Sequence, residues 1–313
     1  TAYYDLASYY FLNGKYTYAL KWFTKIKDTD VASSKRADYY FNKGYTLFAT
    51  KRYKQAEKLF KKVENEAKYR YDASYYLGYI AYQLEDYDAA VENFNKVTTE
   101  NGDTTVGYFQ ADMNFKLGRF DKAIALARKS FANANENQTS ELSKIIGESY
   151  FNLKDYRSAL PYLEVYKGKQ GKWSNTDFYQ LGYTHYRLGE YEKAIMQFNK
   201  IISGANAVEQ NAYYHLADCY LKTGKNTQAL NAFKSASAFR FDAVIAEDAL
   251  LNYARLSYEI GNAYENTSLL LTAFLDQYPK NKAVVEIEQL LIDSYVNSRN
   301  YAAALKILKK KSG

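Results

Sequence analysis

Two histidines, one cysteine and a pair of neighbouring acids are the residues whose types could carry chemistry in this chain of 313 residues. His185 and His215 could share a metal ion, with Asp218 as a carboxylate partner. Such a centre needs three or four ligands in one shell, and these two imidazoles would have to reach across a structural repeat. Packing is the plainer role for both, and no metal is expected. Cys219 lies in the apolar run HLADCYL, where a thiol behaves as a small buried hydrophobe. Glu247 and Asp248 read as helix-start acids, favoured there by the macrodipole. No phosphate loop, dinucleotide fingerprint, nucleophile elbow or H-E-x-x-H motif occurs. Neither an enzymatic role nor a cofactor is expected.

What remains is tyrosine. The chain holds 35 Tyr and 17 Phe but only 2 Pro and 15 Gly. Rings spread so evenly need a regular place to go, and self-comparison finds it. The segments 75–97 and 179–201 align with Leu77/Leu181, Gly78/Gly182, Tyr79/Tyr183, Tyr82/Tyr186, Tyr87/Tyr191, Ala90/Ala194 and Phe94/Phe198 coincident. A small residue recurs at Ala19, Ala56, Ala90, Ala123, Ala159, Ala194, Ala229, Thr267 and Ala304, at gaps of 33 to 38. Three residues before it stands Tyr16, Tyr53, Tyr87, Phe120, Tyr156, Tyr191, Asn226, Tyr264 or Tyr301.

Each unit reads as two amphipathic helices, apolar at three- and four-residue spacing. A short polar turn joins them, with Gly14, Gly118, Gly189 or Gly224 able to end the first helix at positive φ. The alanine is where the two helices of a unit cross closely. Nine units are expected, over residues 1–36, 37–70, 71–103, 104–139, 140–174, 175–209, 210–247, 248–284 and 285–313.

The pattern resembles the tetratricopeptide repeat over essentially the whole chain. Repeats two, three, five and six match it well. The fourth is degraded, with Ala127 where Phe is usual, and a terminal proline follows only the eighth, at Pro279. The resemblance implies an all-α, right-handed α-solenoid whose work is to hold another protein or peptide. It also implies that the first helices line the concave groove. Carried onto this sequence, the groove candidates are Tyr45, Phe48, Tyr75, Tyr79, Tyr82, Tyr108, Tyr179, Tyr183, Tyr186, Arg187 and Tyr214. Tyrosine suits a binding face because it offers large area, little entropy to lose and a hydroxyl. Each such ring could equally be core. The family's clamp for a chaperone C-terminal carboxylate needs Lys and Asn where this chain has Tyr75 and Tyr79, or Tyr179 and Tyr183, so that mode is not expected.

The segment 273–291, AFLDQYPKNKAVVEIEQLL, is similar to helical-repeat factors of Gram-negative envelopes, the barrel-assembly lipoprotein and the Tol–Pal coordinator among them. The Tyr, Asn and Lys content resembles repeat proteins of Bacteroidota. Both favour a periplasmic or outer-membrane-associated setting over the cytoplasm.

The net charge of +7 is local. Residues 1–72 carry 15 Lys+Arg against 8 Asp+Glu, and the rest of the chain is balanced at 27 and 27. The excess centres on Lys51, Arg52, Lys54, Lys58, Lys61 and Lys62, a solvated helix face or a patch for an acidic partner or anionic surface. Nucleic acid is not favoured as the partner, because few cations interleave with the groove tyrosines. A nucleic-acid- or carbohydrate-binding solenoid, and a structural segment of an envelope machine, stand as alternatives. No apolar run is long enough to span a membrane. The single cysteine excludes an intramolecular disulfide. The chain opens at Thr1 with no signal peptide, as expected of a processed or excised chain, and more chain is expected beyond Gly313.

Overall fold

The computed structural model describes residues 2–101, 106–201, 206–261 and 266–311. They fold into eighteen α-helices and two short 3-10 turns, and the described residues contain no strand beyond one isolated bridge, Lys169 to Lys172. Tyr264 lies outside the described residues.

The chain divides into two compact units, Thr1–Leu153 and Lys154–Gly313. In the first, α1 (Ala2–Leu12) pairs with α2 (Tyr16–Phe23), α3 (Ser33–Ala49) with α4 (Tyr53–Phe60), α5 (Arg70–Gln83) with α6 (Tyr87–Asn101) and α7 (Gly107–Lys116) with α8 (Phe120–Ser130); α9 (Glu136–Asn152) closes it. The second opens with α10 (Tyr156–Val165). Its hairpins are α11 (Asn175–Arg187) with α12 (Tyr191–Phe198), α13 (Ala207–Lys222) with α14 (Asn226–Ala238), α15 (Ala243–Ile260) with α16 (Thr267–Gln277), and α17 (Val284–Asn297) with α18 (Tyr301–Lys311).

One backbone device recurs at every turn inside a hairpin. Gly14, Lys51, Glu85, Gly118, Gly189, Gly224, Gly261 and Arg299 all take the left-handed conformation, with φ between 58° and 79°. The residue after most of them donates five positions back: Arg52 to Leu47 O at 2.8 Å, Asp86 to Ala81 O at 2.9 Å and Glu190 to His185 O at 2.9 Å. These bonds satisfy carbonyls that a helix end otherwise leaves open.

Packing within a hairpin explains the helix-interior glycines. A Cβ on Gly78 would come within 3.0 Å of the Phe94 ring, and one on Gly182 within 2.8 Å of Phe198. Glycine costs the helix about 1 kcal/mol relative to Ala, and close seating of the ring offsets it. In the fourth hairpin the same pair of positions is Ala111 and Ala127, both fully buried. Less room is taken by one side chain and more by the other, and the unit that departs from the sequence pattern still keeps both positions buried.

Two expectations are corrected. Phe274, fully buried like Phe23, Phe60 and Phe94, sets the register of α16. It places Leu270, rather than Thr267, level with the buried alanines four residues before those rings. Thr267 instead opens the helix behind the cap Asn266. Likewise Asp242, not Glu247 or Asp248, caps α15, accepting from the backbone N–H of Val244 and Ile245. The two acids lie in the second turn and accept hydrogen bonds from neighbouring repeats.

Successive first helices touch one another: α1 with α3 and α7 with α9 in the first unit, α11 with α13, α13 with α15 and α15 with α17 in the second. Among the described residues no second helix packs comparably on the next second helix. First helices therefore form the tighter layer of each unit.

Candidate interaction face

In the first unit the rings of the first helices form a continuous chain. Phe11 meets Tyr45 at 5.7 Å between centroids, Tyr45 meets Tyr76 at 5.2 Å and Phe48 meets Tyr76 at 4.8 Å. Phe48 also meets Tyr79 at 5.3 Å, and Phe109 lies 5.7 Å from Tyr79 and 5.3 Å from Tyr82. Tyr75 packs its edge on Phe94, and Tyr108 meets Phe109. Tyr45, Phe48, Tyr75, Tyr79, Tyr82 and Tyr108 are all half-buried.

The second unit repeats the arrangement. Tyr179, Tyr183 and Tyr186 climb α11 with successive centroids 5.8 Å apart. His215 of α13 wedges against Tyr183 at 4.9 Å and Tyr186 at 5.1 Å. Tyr214 packs on Phe233. His215, Phe109 and Tyr76 each stand nine positions before the left-handed turn residue of their own hairpin, at Gly224, Gly118 and Glu85. They do one job, filling the gap between successive first helices. Reading by family position alone missed Tyr76 and Phe109; their shared distance to the turn was the available signal.

Burial drives the His215 pKa down to about 4, an effect that nearby Asp218 opposes and Arg187 assists. Its Nδ1 is buried without a hydrogen-bond partner. Cys219, on the same helix, is fully buried, and burial first and Asp218 second push its thiol up to about 12. That keeps it protonated and unreactive at neutral pH.

Several tyrosine hydroxyls are already engaged across repeats. Tyr82 Oη donates to Asp112 at 2.6 Å, Tyr186 Oη to Asp218 at 2.9 Å and Tyr214 Oη to Asp248 at 2.5 Å. Burial and the Asp112 carboxylate push the Tyr82 phenol up to about 12. Lys116 Nζ lies 2.9 Å from Asp112 and 4.5 Å from the centre of the Tyr82 ring. Asn281 donates to Glu247 at 2.6 Å. The aspartates were not singled out as ladder residues in the sequence, because their role depends on a partner roughly one repeat away.

Arg187 is exposed at the last turn of α11. Its guanidinium lies 4.7 Å from the Tyr156 ring centre and 5.8 Å from that of Tyr183, and Nη1 donates to both hydroxyls at 3.3 and 3.2 Å.

The basic residues Lys51, Arg52, Lys54, Lys58, Lys61 and Lys62 are all exposed, on α4 and the turns that flank it. Lys61 pairs with Glu57 at 2.6 Å, and Lys62 with Asp28 at 2.9 Å while lying 4.2 Å over the Tyr40 ring. Exposed pairs of this kind add little to stability.

A tetratricopeptide-repeat sequence profile matches residues 37–67 and 71–104. Those two stretches carry tetratricopeptide repeats. A profile described as anaphase-promoting complex, cyclosome, subunit 3 matches residues 152–236. The TPR repeat-containing protein MJ1428 of Methanocaldococcus jannaschii is 31% identical over 171 residues, which is 53% of this chain and 28% of that protein. The response regulator aspartate phosphatase E of Bacillus subtilis is 25% identical over 200 residues, 56% of this chain and 52% of that protein. The chain thus spans about half, or less, of the curated relatives it matches. A crystal structure of the C-terminal part of a TPR repeat-containing protein from Cytophaga hutchinsonii superposes with a TM-score of 0.53 at 20% identity, covering 79% of this chain and 98% of that one. YrrB, described as a TPR protein with an unusual peptide-binding site, gives 0.50 at 19% identity, covering 61% and 96%. These likenesses show the fold: an all-α solenoid of tetratricopeptide hairpins. No helix among the described residues is long and apolar enough to cross a membrane.

Proposed function

We propose that this chain is a protein-interaction scaffold without catalytic chemistry of its own, holding a peptide segment of a partner on the tyrosine faces of its first helices. The observation that carries this reading is the half-burial of Tyr45, Tyr79, Tyr179 and Tyr183 at repeated positions on the tighter layer. Half-buried rings give contact area with little entropy left to lose. The unusual peptide-binding site of YrrB, which has the same fold, supports this use of tetratricopeptide hairpins. The likeness of residues 273–291 to envelope factors makes an envelope fraction the place to seek the partner.

A photo-crosslinking residue at position 79 or 183 tests this directly. Both should capture a partner from that fraction, and the same residue at position 58, on the exposed basic helix, should capture less. Equal capture at all three, or capture at position 58 alone, would move the site elsewhere. Nucleic acid is the less favoured occupant, because few cations interleave with the tyrosines of these faces.

A further inference from the structure

The groove cations fall into two kinds. Lys116, Arg187 and Lys222 each stand two residues before the left-handed glycine of their hairpin, at Gly118, Gly189 and Gly224. Lys116 is neutralised by Asp112 at 2.9 Å. Arg187 is not: the residue one turn before it is Tyr183, and its contacts are two tyrosine rings and two tyrosine hydroxyls. At Lys222 the residue one turn back is Asp218, whose carboxylate accepts from Tyr186 Oη. Among the described residues no carboxylate pairs with Lys222.

A guanidinium held by two hydroxyls and two aromatic faces has its orientation set before any ligand arrives. Tyrosine contacts fix it without cancelling its charge. The unused N–H edges can form the two parallel bonds that a carboxylate accepts. Pre-set geometry removes much of the ordering cost of binding. Lys222 adds a second cation one repeat along, on a helix packed directly against the first.

We propose that Arg187, with Lys222, forms a receptor for the acidic side chains of a peptide lying on the second unit's tyrosine face. This rests on the reading of that face as a peptide site and names the partner's chemistry. Two cations one repeat apart call for two acids along the ligand rather than a single terminal carboxylate. Adjacent packed helices are about 10 Å apart, which an extended chain covers in about three residues. The partner segment therefore carries Asp or Glu about three residues apart, with apolar or aromatic residues between them for the rings of Tyr179 and Tyr183. His215 lies beneath as a neutral wedge, and Asp218, which accepts from Tyr186 Oη, offsets part of the charge that Arg187 and Lys222 supply, leaving the receptor net positive.

Fluorescence anisotropy with capped, fluorescein-labelled twelve-residue peptides decides the matter. All share one frame of Ala and Tyr and carry Glu, Gln or Lys at two positions three apart. The Glu peptide should bind the wild-type chain at least tenfold more tightly than the Gln peptide, and the Lys peptide most weakly. Arg187→Gln should bring the Glu peptide to the Gln level, and Arg187→Lys should recover only part of the difference. Raising salt from 50 to 500 mM should erode the Glu advantage and leave Gln binding nearly constant. Equal binding of Glu and Gln peptides, no binding of the Glu peptide, or a preference that survives Arg187→Gln overturns the proposal. Tyr183→Ala, checked for unchanged circular dichroism, tests the underlying face separately. It should weaken the Gln peptide too, and if it weakens none of them the aromatic face is not the site. A labelled twelve-nucleotide oligouridine that binds more tightly than the Glu peptide, and loses that binding in Arg187→Gln, would overturn the assignment to a peptide.

Discussion

Tyr186 donates its hydroxyl to the Asp218 carboxylate at 2.9 Å, from one hairpin to the next. Tyr82 with Asp112 and Tyr214 with Asp248 make the same link. A solenoid has only nearest-neighbour contacts to hold successive repeats in register, so these bonds act at the joints where it is weakest. A hydrogen bond to a charged acceptor contributes about 1.5–3 kcal/mol, less where water competes. Tyr186→Phe should therefore lower stability by about 1 kcal/mol in urea unfolding. Asp218→Asn should cost less in that background than in the wild type, and full additivity of the two would show that the bond contributes nothing.

The seat of Phe198 over Gly182 makes a sterner forecast. Gly182→Ala places a methyl 2.8 Å from the ring. Overpacking of this kind costs about 1–3 kcal/mol, more than the helix propensity gained. Adding Phe198→Leu should recover part of the loss, because the smaller side chain vacates the space. Thermal melts of the single and double variants measure it. A neutral or stabilising Gly182→Ala would mean that the two helices slide apart at little cost.

Glu85 occupies the left-handed turn position that Gly118 and Gly189 fill elsewhere, with φ of 62°. The conformation costs a residue with a Cβ about 1–2 kcal/mol, partly offset by the unfolded-state freedom of glycine. Glu85→Gly should stabilise by about 0.5–1 kcal/mol, and Gly118→Ala should destabilise by a similar amount, both read from urea midpoints.

His215 supplies a dependence on pH. Its folded pKa, about 4, lies below the unfolded value of about 6.5. Between those values the unfolded chain binds more protons, so stability falls as pH drops through this window and is fully present above pH 6.5. The loss approaches about 3 kcal/mol near pH 4, by the linkage relation. Carboxylates also respond at the lower end. Burial raises the Asp28 carboxyl, but Lys62 and Tyr40 together hold it below its usual range, and Lys68 and then Tyr69 hold Asp38 low. Comparison with His215→Phe isolates the imidazole: the variant should lose less stability than wild type between pH 7 and pH 4.5. Parallel curves would place the titration elsewhere.

Much of this architecture was legible because one pattern recurs. Glycine and ring spaced sixteen apart, with alanine between them, report a close helix crossing wherever they appear together. Legibility failed where the spacing broke. Six positions separate Gly261 from Thr267, against two from Gly14 to Tyr16, so counting from neighbouring repeats selected Thr267 when Phe274 keeps the register. Glu247 and Asp248 were misread as helix-start acids because their hydrogen-bond partners, Asn281 and Tyr214, lie 34 residues away. On the candidate face, family position singled out Tyr79 and Tyr183, yet the wedges Tyr76, Phe109 and His215 share no residue type and could be grouped only by distance to the turn. No single residue announces Arg187 as distinctive: its lack of a carboxylate partner becomes visible only when it is set beside Lys116.

The exchange of Gly and Phe for Ala111 and Ala127 in the fourth hairpin bears on how such chains diversify. Donor and recipient of each close contact lie in the same unit, on opposite sides of its internal turn. Recombination with a crossover inside a hairpin would join a glycine to a small residue, or an alanine to a ring, leaving a void or a clash. Crossovers in the loops between hairpins carry each matched pair intact. Gene segments of this kind should therefore shuffle as whole hairpins, and libraries built by cutting at those loops should yield more folded chimeras than libraries cut at Glu85 or Gly189.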